Sequence, residues 1–137
     1  MADKIRRVDY FYFEVEDRPG EGARLLGKLA DGGVSLLSFV AFPVAGAKAQ
    51  VTVVPEKAEL FLTAAKSAGL THSGRKECFL VQGVDRVGAG RDLFKRLAEA
   101  KINCVASHGC VASGGGYGLV VFVKQSDVAS AAKALGV

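Results

Sequence analysis

Two short stretches of this 137-residue chain could hold a small charged molecule: Asp17-Arg18-Pro19-Gly20-Glu21-Gly22 and Asp85-Arg86-Val87-Gly88-Ala89-Gly90. In each, a carboxylate precedes two glycines where an extended run gives way to a helical one. Such an elbow sets unpaired backbone N–H groups and the positive end of a helix dipole beside a side-chain carboxylate. The glycines let the backbone come close to a ligand. The chemistry on offer is recognition of a zwitterion, its carboxylate on the N–H groups of residues 20–22 or 88–90 and its ammonium on Asp17 or Asp85. The plainer alternative makes Asp17 and Asp85 helix N-caps and uses the glycines for tight helix–sheet packing. Pattern alone leans toward the plainer one.

Other reactive residue types lead nowhere comparable. There are two histidines; His72 falls in a polar connector, and no nucleophile–base–acid set recurs, so no catalytic residue and no enzyme activity is expected. A carboxylate beside a helix N-terminus tends to stay ionised, which suits binding better than proton transfer. Cys104, His108 and Cys110 alternate onto one strand face. Their counterparts in the first half, Leu36, Val40 and Phe42, are apolar, so buried thiols and a core histidine are expected and no metal. Gly88-Ala89-Gly90 lacks the third glycine and the parallel sheet of a dinucleotide site, and no cofactor is expected. Gly116-Tyr117-Gly118-Leu119-Val120-Val121-Phe122 approximates an RNA-recognition strand, but lacks its leading base and one aromatic, and no basic stripe lies nearby. Nucleic acid is therefore not an expected partner.

The elements that must position the elbows come in two sets. A shift of 68 residues lays Asp17–Gly22 on Asp85–Gly90, Leu25, Leu29 and Ala30 on Leu93, Leu97 and Ala98, and Gly46 and Val53 on Gly114 and Val121. After a one-residue deletion, Ala64-Ala65-Lys66 matches Ala131-Ala132-Lys133. Register kept through loops as well as apolar positions implies a duplication. In the first copy, alternation over Tyr10–Glu16 predicts a strand. A helix with Leu25, Leu26 and Leu29 follows and stops at Gly32-Gly33. Strands then run over Val34–Phe42 and Ala49–Val54, and a second helix carries Leu60, Phe61, Ala64, Ala65 and Ala68. The second copy repeats the order: strand Cys78–Val84, a helix with Leu93, Phe94 and Leu97, strands Ile102–Ala112 and Tyr117–Lys124, and a helix from about Asp127 to Leu135.

This is an α+β chain of two tandem ferredoxin-like βαββαβ repeats, each an antiparallel sheet with its helices on one face. The repeats are read as residues 1–69 and 70–137. The fourth strand of the first is expected at about residues 70–76. The second has no sequence left for one, and the same offset assigns residues 3–8 to that edge. Tyr10, Tyr12, Cys78, Leu80, Leu37, Phe39 and Val105 point away from the helix-facing set, so a second layer, from the other repeat, a second chain or both, is expected to cover them.

Composition sets the outer bounds. Half the residues are hydrophobic and 23% are charged, which excludes general disorder. No apolar run approaches a membrane span, and the N-terminus lacks a secretory pattern. Three cysteines fit a reducing compartment, so a cytoplasmic protein is expected. The net charge of +4 is spread along the chain and implies solubility rather than a polyanion partner.

Asp17-Arg18-Pro19-Gly20 at a strand end, a helix with Leu25 and Leu29, and Gly33-Val34-Ser35-Leu36 opening the next strand together resemble an ACT domain. Asp85-Arg86-Val87-Gly88 followed by Ile102-Asn103 is similar. The resemblance covers nearly the whole chain as two tandem copies. It implies a small regulatory module that binds an amino acid, or a similar small zwitterion, and modulates an enzyme of amino-acid metabolism, with a homodimer as the expected assembly. It further implies that the effector lies between modules, against the loop after the first strand and the start of the second. By position these contacts are Asp17, Pro19, Gly20 and Ser35 in one copy and Asp85, Gly88 and Asn103 in the other. Asn103 fits the family's frequent polar ligand, Ser35 is shorter, and Val87 departs from the usual proline. The alternative is the same fold without a ligand, serving as an adaptor that docks on a metabolic enzyme by its apolar sheet.

Overall fold

Alternation in the first apolar run produces a strand that starts earlier than the pattern marks. In the computed structural model, which describes residues 3–137, β1 covers Lys4–Glu16. The remaining elements are α1 (Glu21–Asp31), β2 (Leu36–Val44), β3 (Lys48–Pro55), α2 (Ala58–Ser67), β4 (Lys76–Val84), α3 (Arg91–Glu99), β5 (Cys104–Ala112), β6 (Gly116–Val123) and α4 (Val128–Leu135), with a 3₁₀ turn at Gln125–Asp127. The chain divides into two units, one of residues 9–76 and one of residues 3–8 with 77–137.

In the first unit the strand order is β2-β3-β1, and both pairings are antiparallel. Phe11, Phe13, Val51 and Val53 project from the sheet onto Leu25 and Leu29 of α1 and Phe61 and Ala65 of α2. This burial is the main stabilising term, at roughly 25 cal/mol per Å² of apolar surface removed from water. The Phe61 ring stacks on Phe11 with centroids 4.3 Å apart and meets Phe13 edge-on at 5.8 Å.

The expected edge strand over residues 70–76 is not formed. Residues 70–75 are irregular, and Lys76 already begins β4. Ser73 hydrogen-bonds to the edge of β1, its N–H donating to Tyr12 O at 2.8 Å and its Oγ accepting from Tyr12 N–H at 2.9 Å. A hydroxyl here does the work of a backbone carbonyl, and the ladder stops. His72, expected in a polar connector, is instead half-buried, with its ring 5.2 Å from Phe61 and 5.5 Å from Phe11.

The second unit is ordered β1-β4-β6-β5, with residues 4–8 of β1 on the edge. Side-chain contacts pair Arg7 with Glu77 and Arg6 with Gln82, so the two strands run antiparallel. Ile5 packs against a core of Phe79, Val81, Leu93, Leu97, Val121 and Val123 beneath α3 and α4.

Backbone irregularities recur at the sequence offset. Positive φ occurs at Gly20 and Gly88, Gly33 and Lys101, Gly46 and Gly114, and Ala47 and Gly115. The register of β2 on β3 shifts between Leu36 and Ser38, and that of β5 on β6 between Cys104 and Ala106. Of the residues expected on outer sheet faces, Cys78 and Leu80 are buried within the single chain, whereas Phe39 and Val105 are each 52% exposed.

Candidate ligand-binding site

Each elbow begins where the first strand of its unit ends, and the same bond fixes both. Asp17 N–H donates to Ala47 O at 3.0 Å, and Asp85 N–H donates to Gly115 O at 2.8 Å, so the β-hairpin turn of each unit anchors its elbow. Neither aspartate caps a helix. The N-cap positions belong to Gly20 and Gly90, and no side chain bonds to the helix start in either case. Gly20 sits at φ +94° and Gly88 at φ +75°, a region that only glycine enters without strain. A Cβ at Gly20, Gly22 or Gly88 would meet nothing within 4 Å. Backbone conformation rather than close packing therefore calls for glycine at residues 20 and 88, which corrects the plainer reading on both counts. Helix starts leave donors over: the N–H groups of Gly22 and Ala23, and of Gly90, Asp92 and Leu93, have no acceptor among the described residues.

Beyond this frame the elbows differ. In the first, Asp17, Arg18, Pro19 and Gly20 are all exposed. Glu21, only 7% exposed, takes Arg18 Nε on one carboxylate oxygen and Arg24 Nε on the other, each at 2.9 Å. The Arg24 and then the Arg18 hydrogen bonds hold its carboxyl below the usual range. This corner is occupied with its own charges. A cleft of 200 Å³ between β1 and α1, lined by Phe13, Glu14, Arg24, Lys28 and Thr71 among others, includes none of the expected site residues.

The second elbow opens on a cleft of 260 Å³ lined by Asp85 and Gly90 from the elbow, Gly109, Cys110 and Val111 from β5, and Tyr117, Gly118 and Leu119 from β6. One end thus carries a carboxylate and an unpartnered N–H, and the walls are largely apolar. The glycines in the strands keep the floor low: a Cβ at Gly109 would lie 3.1 Å from Gly118 O. Elbow and wall are braced by Asp3. Arg86 meets both of its carboxylate oxygens at 3.1 Å, and Tyr117 Oη donates to Oδ2 at 2.7 Å. The Arg86 bonds hold the Asp3 carboxyl below its ordinary range against the opposing effect of burial. Burial first, and then Asp3, pushes the Tyr117 phenol up.

Ser35 and Asn103 lie elsewhere. Both are exposed residues just ahead of β2 and β5. Asn103 stands six residues up β5 from Gly109, about 20 Å at 3.3 Å per residue. Within one unit the elbow and the start of the second strand occupy opposite ends, because the intervening helix returns the chain to the end where the unit began. A site that uses both kinds of residue must take them from two modules. The expected buried face of Cys104, His108 and Cys110 is also corrected: Cys104 and His108 are half-buried and Cys110 is exposed, because β5 is an edge strand. No group of three or more metal-ligating side chains occurs among the described residues.

Tyr117, Leu119 and the Gly109–Val111 segment were not among the residues expected from sequence. A signal was present in the mismatches between copies, since Tyr117 falls on Ala49 and Gly109 on Ala41.

No family model and no curated protein matches this sequence. Solved structures do match it. A Bacteroides thetaiotaomicron protein, BT0572, superposes with a TM-score of 0.79 at 11% identity, over 96% of this chain and 88% of that one. The ligand-free regulatory subunit of aspartate kinase from Thermus thermophilus gives 0.65 at 15% identity, over 98% and 94%. The corresponding subunit from Thermus flavus gives 0.64 at 16%, over 98% and 94%. At these identities the likeness is one of fold, and it covers nearly the full length of each chain. The protein shares its fold with these structures.

Proposed function

We propose that the chain is a tandem pair of ACT modules acting as a non-enzymatic, cytoplasmic regulatory protein that binds an amino acid or similar small zwitterion. Its target is an enzyme of amino-acid metabolism, and its working form is a homodimer. The observation that carries this reading is the 260 Å³ cleft with Asp85 and Gly90 at one end. Asp85 takes the ammonium, the backbone of residues 88–90 takes the carboxylate, and Tyr117, Leu119 and Val111 receive the ligand side chain. Asp17, Pro19 and Gly20 form the corresponding corner of the first module, weakened as a carboxylate site by the buried Glu21. Ser35 and Asn103 contribute from a second module placed across the elbow. The regulatory role of fold neighbours such as the Thermus subunits supports this assignment. Signalling then requires different affinities for two arrangements of the modules.

A thermal-shift screen of the twenty amino acids tests it. At least one should raise Tm in the wild type and fail to do so in Asp85→Ala, whereas a screen without a hit removes the sensor reading. The adaptor alternative rests on a separate observation: Phe39 and Phe42 stand 52% and 41% exposed on β2, an edge strand of its unit. It predicts capture of a metabolic enzyme that Phe39→Lys abolishes, with no amino-acid response.

A further inference from the structure

The second unit already binds a carboxylate, its own. Arg86 presents Nη1 to Asp3 Oδ1 and Nη2 to Oδ2, both at 3.1 Å, the two-pronged geometry that makes arginine selective for carboxylates. Tyr117 Oη adds a third donor at 2.7 Å. Gly83 provides the floor, since a Cβ there would collide with Asp3 Oδ1. The guanidinium is held in place by Val84 O, 3.0 Å from Nη1, and its carbon lies 6.0 Å from the centre of the Tyr117 ring. The bound carboxylate is largely covered, with the Asp3 side chain 17% exposed and Tyr117 9% exposed, while the Arg86 side chain stays open to solvent on its other side at 44%.

An edge strand needs none of this, because strand pairing is a backbone matter. The first unit shows the contrast. Val15, Arg18 and Ala49 stand where the second unit has Gly83, Arg86 and Tyr117. Floor and phenol are both missing there, and Arg18 turns to Glu21 instead.

We propose that Gly83, Arg86 and Tyr117 form a carboxylate-binding site for which the chain's own Asp3 and a free small carboxylate compete. The site is distinct from the Asp85 end of the cleft, and the inference does not depend on amino-acid binding there. Tyr117 belongs to both, so the state of the receptor sets one wall of the cleft. Asp3 is tethered by the paired strand that follows it and acts as an intramolecular ligand at an effective concentration in the millimolar range. A free carboxylate gains access once Asp3 is withdrawn.

The test is chemical rescue of Asp3→Ala with sodium acetate against sodium chloride at equal ionic strength. Acetate should raise the Tm of Asp3→Ala saturably, by about 2–4 °C. It should leave the wild type and Asp3→Ala/Arg86→Gln at their chloride values. Equal Tm in the two salts for Asp3→Ala, or a rise that persists in the double variant, overturns the proposal. Should Asp3→Ala not fold, Asp3→Asn keeps the shape and removes the charge. Ultraviolet titration against a Tyr117→Phe reference must then show the Tyr117 phenol ionising at lower pH than in the wild type. An unchanged titration overturns the proposal equally. Absence of any amino-acid hit in the screen above leaves these outcomes untouched, so the two readings fail separately.

Discussion

At the scale of single residues, two differences between the copies redirect an arginine that both share. Arg18 and Arg86 occupy the same place in the two elbows, yet one turns to Glu21 and the other to Asp3. The deciding positions are not the arginines. Gly83 leaves room for a carboxylate over the strand where Val15 fills it, and Ala89 replaces Glu21 and so removes the competing acid. The Asp3 pair is also a pH-dependent contribution to stability. Because the folded state holds the Asp3 carboxyl below its ordinary range, the unfolded chain binds its proton first as pH falls. The contribution is complete above the ordinary aspartate pKa of about 3.9 and is lost as pH drops through the lower folded value. Urea unfolding of the wild type and Asp3→Asn should therefore give a stability gap that is constant from neutral pH to about pH 5 and narrows below about pH 4. A gap that persists undiminished in acid would show that the carboxylate charge is not what matters at this position.

At the scale of elements, the helix ends are the informative places. α1 closes with Gly33 N–H on Ala30 O at 2.9 Å and Val34 N–H on Leu29 O at 3.0 Å. α3 closes the same way, with Lys101 N–H on Ala98 O and Ile102 N–H on Leu97 O, both at 2.9 Å. This paired closure needs a left-handed residue, and α3 uses Lys101 at φ 60° where α1 uses glycine. A lysine in that conformation costs about 1 kcal/mol relative to glycine. Lys101→Gly should accordingly stabilise the protein by about 0.5–1 kcal/mol, seen as a higher urea midpoint at unchanged slope. A lower midpoint would mean that the lysine side chain contributes more than its backbone costs. The edge at residues 70–75 makes the complementary point. Sequence register predicts a strand there, but the aromatic cluster of Phe11, Phe13 and Phe61 draws His72 inward, and Ser73 pairs with Tyr12 partly through its side chain.

At the scale of the whole molecule, each unit keeps one strand that, among the described residues, is paired on one side only, β2 on β3 in one and β5 on β6 in the other. Both carry exposed apolar side chains: Phe39 and Phe42 on β2, and Val105 and Val111, the last 63% exposed, on β5. Unblunted edges of this kind favour association. For the proposed homodimer, sedimentation velocity should show a dimer in the wild type and a monomer in Phe39→Lys, with the far-ultraviolet spectrum unchanged. A wild type that stays monomeric at high micromolar concentration would exclude it. No helix among the described residues is long and apolar enough to cross a membrane.

The sequence alone determined the element order, because apolar alternation and helical spacing are local signals that burial then satisfies. It also marked both elbows as glycine-bearing breaks between a strand and a helix, whereas the positive φ at Gly20 and Gly88 emerged only in the structure. Most element bounds fall within two residues of the pattern. Tertiary structure alone decided which elbow opens on a cleft. That depends on Asp3, Gly83, Gly109, Cys110 and Tyr117, which are scattered along the chain and brought together by strand pairing in the second unit. It also decided the fate of residues 70–75, where long-range packing against three phenylalanines outweighed local register, and the exposure of Cys110, which follows from its strand lying at an edge. Local pattern can specify a bend in the backbone, but whether space remains beside it is fixed by side chains distant in sequence.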